Sequence, residues 1–239
     1  MKNDRKSKIT QRRLFVFILF LAIVIAQFVF TKKTEPETKG EAQSIFTRKI
    51  EPVTKSSFML NTFVTVTLYD KDDMEVLNGV LELCKSYENV FSRTIEDSEI
   101  YKLNHRAKGD QTMTLSKDTA DLLQAGLHYS ERSGGAFDIT IEPLSSLWDF
   151  TAETPVIPPE NQIEEAVKKV NYKNIKVTGD QVTFLSPDTS IDLGAIAKGY
   201  IADRMKDYLL ENGVNSAVIN LGGNVLCVGT KPDGTPFRI

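Results

Sequence analysis

The stretch "SIDLGAIAKGYIADRMKDYLLENGVNSAVINLGGNV", Ser190 to Val225, leaves the chain few ways to fold. Ile201, Met205 and Leu209 recur four apart in "YIADRMKDYLLENG", so one helix face is an apolar stripe, and Gly213 is its stop. "NSAVIN" follows with strand character and delivers "LGGN", a glycine pair suited to a tight bend.

The rest of the chain mixes the same two kinds of element. In "NTFVTVTL" Val64, Val66 and Leu68 alternate with Phe63, Thr65 and Thr67, which predicts a strand with two different faces. "DDMEVLNGVLELCKSYENVFS" spaces Leu77, Val80, Cys84, Tyr87 and Phe91 three and four apart, with acids at the positive end of the helix dipole. A brief helix is expected from Ser98 to near Asn104, and a long one from Lys117 to Arg132 that "SGG" stops. A further helix is built on Ile163, Val167 and Val170, and "NIKVTGDQVTFL" reads as a hairpin turning at Gly179-Asp180. The fold class is therefore expected to be α+β, a sandwich rather than a doubly wound parallel sheet.

Before this region the chain is organised differently. Residues 1–13 form a head with six basic residues and one acid, and residues 14–30, "LFVFILFLAIVIAQFVF", are apolar except for Gln27. Seventeen such residues are at the short end of a membrane-crossing helix, and the basic head places the start of the chain in the cytoplasm. An uncleaved single-pass anchor is expected, with a cleaved signal as the alternative, and the remainder on the extracytoplasmic face. Residues 31–57 are polar and hold Pro36 and Pro52, which reads as a tether, so the folded domain is expected over 58–239. Without the head, 23 basic and 31 acidic residues remain, and a net charge of −8 argues against a nucleic-acid groove. Cys84 and Cys227 are read as two buried small hydrophobes rather than a disulfide. The closing "CVGTKPDGTPFRI" reads as strand, turn and the start of another strand, as if the sequence were part of a longer protein.

Several familiar chemistries lack their motifs. There is no G-x-G-x-x-G, no G-x-x-x-x-G-K-[ST] and no G-x-S-x-G. His105 and His128 have no metal-binding partner at useful spacing. In "DLGAIAKGY" Asp192 ends an extended segment, and helix N–H groups together with Lys198 would suit a phosphate. The plain alternative is a capping Asp192, turn glycines and a solvated Lys198. In "SGGAFD" the run Ala136, Phe137 and Asp138 could line a flat ring or merely close a helix. Met59 is either core or a thioether against an aromatic ligand.

Taken together, "MLNTFVTV", "FSRTIEDSEIYKLN", "SGGAFDITIEPLSSLW", "IDLGAIAKGYIAD" and "VINLGGNV" resemble, in order and spacing, the ApbE family of flavin transferases. The resemblance implies an ApbE-like α/β sandwich related in part to the tunnelling fold. It implies an enzyme that cleaves FAD, moves FMN onto a threonine or serine of an exported flavoprotein and releases AMP, with Mg2+ as cofactor. By position it implies FAD contacts at Met59, Ala136, Phe137, Asp138 and Asp192, a metal ligand in the Ala195 backbone carbonyl and a substrate contact at Lys198. Thr94 stands where relatives often carry an aromatic residue, so a stacking contact there is weakened or replaced. The family's later H-x-x-D-P-x-T-G stretch, its remaining metal ligands and the base are expected beyond Ile239. A flavin-binding scaffold without transferase activity, or a pyrophosphatase releasing FMN and AMP, are the rival readings.

Overall fold

The computed structural model describes residues 50–148, 153–154 and 156–239. The basic head, the apolar run 14–30 and most of the tether lie outside these residues. Among the described residues no helix is long and apolar enough to cross a membrane.

Strands β1 (Val53–Met59) and β2 (Thr62–Leu68) form a hairpin whose turn residues, Leu60 and Asn61, both have φ of 55°. Such a turn matches the twist of paired strands. Helix α1 (Met74–Phe91) follows, its N-terminus capped by Asp73, which accepts from the N–H groups of Glu75 and Val76. Then come α2 (Glu99–Asn104), β3 (Thr112–Thr114), α3 (Lys117–Arg132), and the short helices α4 (Glu142–Ser145) and α5 (Glu160–Val167). A 3-10 turn (Tyr172–Asn174) leads into β4 (Ile175–Thr178) and β5 (Gln181–Phe184). Helix α6 (Ala197–Glu211) and strands β6 (Ser216–Leu221) and β7 (Asn224–Gly229) complete the order.

Two sheets result, one of four strands in the order β1-β2-β6-β7 and one of three in the order β3-β5-β4. Every pairing is antiparallel, which gives the expected α+β class. The inner face of the larger sheet offers Val64, Val66, Leu68, Ala217, Ile219 and Leu221, all fully buried. Onto it pack Leu77, Val80 and Cys84 of α1 and Ile201, Met205 and Leu209 of α6, the two apolar stripes read in the sequence. Each Val, Leu, Ile or Met among them contributes roughly 1.5–3 kcal/mol by leaving water. The two helices approach closely at Gly79, where a Cβ would lie 1.9 Å from the Tyr208 hydroxyl.

Three expectations about the elements change. Strand β1 begins at Val53, so residues 53–57 of the expected tether are sheet, held by backbone pairing from Val53↔Leu68 to Ser57↔Val64. "VTKSS" hides this because an edge strand with a polar outer face has little apolar alternation. Helix α5 ends at Val167, short of Val170, and the Asn171 N–H donates instead to Thr140 Oγ1 at 2.8 Å. After β7 no new strand starts; Asp233 accepts from the backbone and hydroxyl of Thr235 in a turn, and Phe237 packs on Tyr69.

Both cysteines are free, as expected, but only Cys84 is buried. Cys227 is half-buried, because its side chain lies on the opposite face of β7 from buried Val228. Burial pushes the Cys84 thiol up to about 12. A thiol reagent at about pH 8 should therefore modify one cysteine in the native protein and two after unfolding. Rapid native labelling of Cys84 would contradict this packing.

Candidate functional site

Beside the Leu60-Asn61 turn lies a cleft of ≈ 270 Å³. One wall is the end of α1, through Glu88 and Phe91, with the loop Ser92 to Ile95; the other is the bend from Asp192 through Gly194 to Lys198. The walls come from segments about a hundred residues apart, and the local chemistry shows how each is held.

Ser92 ties its own loop. Its Oγ accepts from the N–H groups of Thr94 and Ile95 at 3.1 Å, and its carbonyl accepts from the buried Ser98 hydroxyl. Ser98 in turn caps α2, accepting from the Tyr101 N–H. At the other end of α2, Asn104 reads the opposite wall: its Nδ2 donates to the Ile191 carbonyl at 2.8 Å and its Oδ1 accepts from the Ile191 N–H at 2.7 Å. The Asp192 N–H donates to the Ile139 carbonyl at 2.9 Å. Three separated sequence blocks thus meet at Ile191-Asp192.

Asp192 is anchored at both oxygens. Oδ1 accepts from the Gly194 N–H and Oδ2 from the Ser145 hydroxyl, each at 2.8 Å. Arg93 reaches the same carboxylate, with Nε 3.5 Å from Oδ2, and places Nη1 3.7 Å from Glu142 Oε1. Lys198 follows on the first turn of α6, a helix whose N-terminus no side chain caps. The arrangement sets a fixed acceptor and two cations, one from each wall, around one cleft, which suits a ligand carrying both hydrogen-bonding edges and anionic groups.

Behind this wall Tyr200 donates to Asp118 Oδ1 at 2.7 Å and packs edge-on against Tyr87 and Phe91. Burial and the Asp118 carboxylate push the Tyr200 hydroxyl above its ordinary range, so it stays a donor. The bend has a second side. Ala195 and Ile196 line a neighbouring hollow of ≈ 470 Å³ with Phe137, Tyr129, Arg132 and Ser133.

The site residues expected from sequence are distributed unevenly. Asp192, Lys198 and Thr94 share the cleft, while Phe137 and Ala195 share the hollow beyond the bend. The Met59 side chain is 6% exposed and belongs to the core; its neighbours Leu60 and Asn61 line the cleft instead. Ala136 is exposed on the turn after α3. Asp138 is occupied structurally, accepting at Oδ1 from the N–H and hydroxyl of Thr140 and at Oδ2 from the Tyr172 N–H. His105 stacks on Tyr101 and contacts its carbonyl, and His128 sits on another face with Lys173 and Lys176. Sequence reasoning missed Arg93, Ser145, Glu142 and Asn104. Only Arg93 carried a signal, as a cation beside the loop already singled out.

A model of the ApbE family matches residues 60–239. The chain belongs to the ApbE family. Among curated relatives it is 32% identical over 176 residues to the FAD:protein FMN transferase of Klebsiella pneumoniae (strain 342), covering 73% of this chain and 55% of that one. It is 28% identical over 188 residues to the FAD:protein FMN transferase of Treponema pallidum (strain Nichols), covering 74% and 51%. The ApbE protein of Thermotoga maritima superposes with a TM-score of 0.69 at 30% identity, over 77% of this chain and 61% of that one. The flavin transferase ApbE from Vibrio cholerae shares the fold, with a TM-score of 0.73 at 24% identity over 79% and 63%. The chain spans about half the length of the curated relatives it matches.

Proposed function

We propose that this ApbE-family chain is a FAD:protein FMN transferase that attaches FMN through a phosphoester to a threonine or serine of another protein. The observation that carries the reading is the convergence of Asp192, Lys198, Arg93 and Thr94, from distant parts of the chain, on one cleft. Relatives named for that activity support it. In the reaction the acceptor hydroxyl oxygen bonds to the FMN-side phosphorus of FAD. The bond from that phosphorus to the bridging oxygen breaks, AMP leaves with the electron pair, and the hydroxyl proton passes to a base.

This chain's own residues bind and orient. Asp192, held in place by Gly194 and Ser145, offers its remaining lone pairs to donors on the flavin ring. Lys198 and the uncapped first turn of α6 place positive charge where phosphate charge redistributes in the transition state. The Mg2+ requirement rests on the family resemblance. Among the described residues no group of three or more His, Cys, Asp or Glu side chains is arranged to hold a metal, so these residues do not fit a metal centre by themselves. The Ala195 carbonyl is the one donor the resemblance assigns. An anchor at 14–30 would hold the domain at the extracytoplasmic face, within reach of exported flavoproteins.

The test incubates the full chain with FAD, Mg2+ and a candidate acceptor, with an EDTA control, and follows flavin fluorescence through denaturation. Fluorescence that stays with the denatured acceptor supports transfer; fluorescence that leaves it refutes transfer. Within that assay Lys198→Ala should slow labelling by about ten- to a hundredfold while FAD affinity falls less, because its charge acts on the transition state. Equal loss of both would make Lys198 a simple ligand contact.

A further inference from the structure

We propose that Arg93 neutralises the Asp192–Glu142 acidic pair and thereby makes the cleft selective for phosphate-bearing over neutral flavins. The inference rests on the flavin reading of the cleft and adds a residue to it. Asp192 lines one wall of the cleft, Glu142 stands on α4 outside the lining, and Arg93 reaches both carboxylates from the facing loop. Its distances of 3.5 and 3.7 Å are ion pairs rather than short charge-assisted bonds of about 2.7–2.9 Å. The shorter contact on Asp192 Oδ2 belongs to Ser145, at 2.8 Å.

Arg93 is therefore not needed to orient Asp192, which Ser145 and Gly194 already do. What Arg93 supplies is charge. The three side chains are 19–32% exposed, so water screens them only in part. Without the guanidinium, an anionic phosphate entering beside Lys198 would meet two uncompensated carboxylates. A riboflavin molecule, with the same ring and no phosphate, would not feel that repulsion.

The experiment titrates FAD and riboflavin into the full-length protein and into Arg93→Ala, Arg93→Lys and the double variant Arg93→Ala/Glu142→Gln. In Arg93→Ala, FAD affinity should fall on the order of tenfold with riboflavin affinity unchanged, as expected for one partly screened charge at a partly buried site. Arg93→Lys should keep most of the FAD affinity. Glu142→Gln in the alanine background should restore part of it, because it removes one of the carboxylates that Arg93 offsets. Equal loss of FAD and riboflavin in Arg93→Ala, or no recovery in the double variant, would overturn the proposal. Arg93-dependent FAD binding without any transfer to an acceptor would leave the proposal standing and remove the transferase reading. A wild-type protein that binds no FAD would remove both.

Discussion

Replacing Asp192 by alanine is expected to weaken FAD binding by about a hundredfold, or roughly 2.7 kcal/mol. Two effects add. The ligand loses an anchored acceptor, and the Gly194 N–H and Ser145 hydroxyl lose the partner they hold at 2.8 Å. The half-buried Ser145 hydroxyl left without its acceptor costs about 1 kcal/mol, while water reaches the exposed Gly194 N–H. Asp192→Asn is the informative companion. Its amide oxygen can still accept from one of the two donors, so its FAD affinity should fall between wild type and alanine. Fluorescence titration of FAD reads both, and wild-type affinity in Asp192→Ala would remove this carboxylate from the site.

Gly222→Ala is expected to destabilise the larger sheet strongly. Gly222 sits at φ +65° in the turn joining β6 to β7, and an added Cβ would lie 2.2 Å from Thr62 Oγ1 and 2.7 Å from Thr62 Cβ. Because the overlap reaches the Thr62 Cβ, a rotamer change cannot relieve it. Left-handed backbone adds about 1–2 kcal/mol for a residue with a side chain, and forced overpacking about 1–3 kcal/mol more. A domain of this size should lose on the order of 10 °C in melting temperature. Gly179→Ala separates the two contributions: it has φ of +60° and nothing within 4 Å of the added Cβ, so it carries the backbone cost alone. Thr62→Ala combined with Gly222→Ala should recover part of the overlap. A Gly222→Ala protein no less stable than Gly179→Ala would show that the two hairpin turns do not press together as described. Thr62 is also the first residue after the Leu60-Asn61 turn, so the same clash pushes on the cleft.

Much of the fold was legible because its signals are local. The four-residue spacing of Ile201, Met205 and Leu209 and the alternation of Val64, Val66 and Leu68 reappear as buried stripes on α6 and β2. Lys117 and Arg132 bound α3 as read, with Ser116 as its cap. The edge strand β1 was not legible, since its structure comes from pairing with β2 rather than from its own pattern. Met59 shows the same limit at the site. Its side chain type suits either core or ligand, and only the register of the hairpin turns it inward while Leu60 and Asn61 face the cleft.

By itself the sequence determined where the long helices and the β4-β5 hairpin lie, that the chain belongs among flavin-transferase relatives, and that Asp192 shortly precedes the helix whose first turn carries Lys198. Hydrophobic period, glycine stops and motif order are properties of neighbouring residues, so they survive in one dimension. Only the tertiary structure decided that Asn104 fastens Ile191, that Ser145 holds Asp192 Oδ2, and that Arg93 crosses to Asp192 and Glu142. Those contacts join residues that no local pattern links, because a hydrogen bond or an ion pair depends on distance in space and carries no period along the chain.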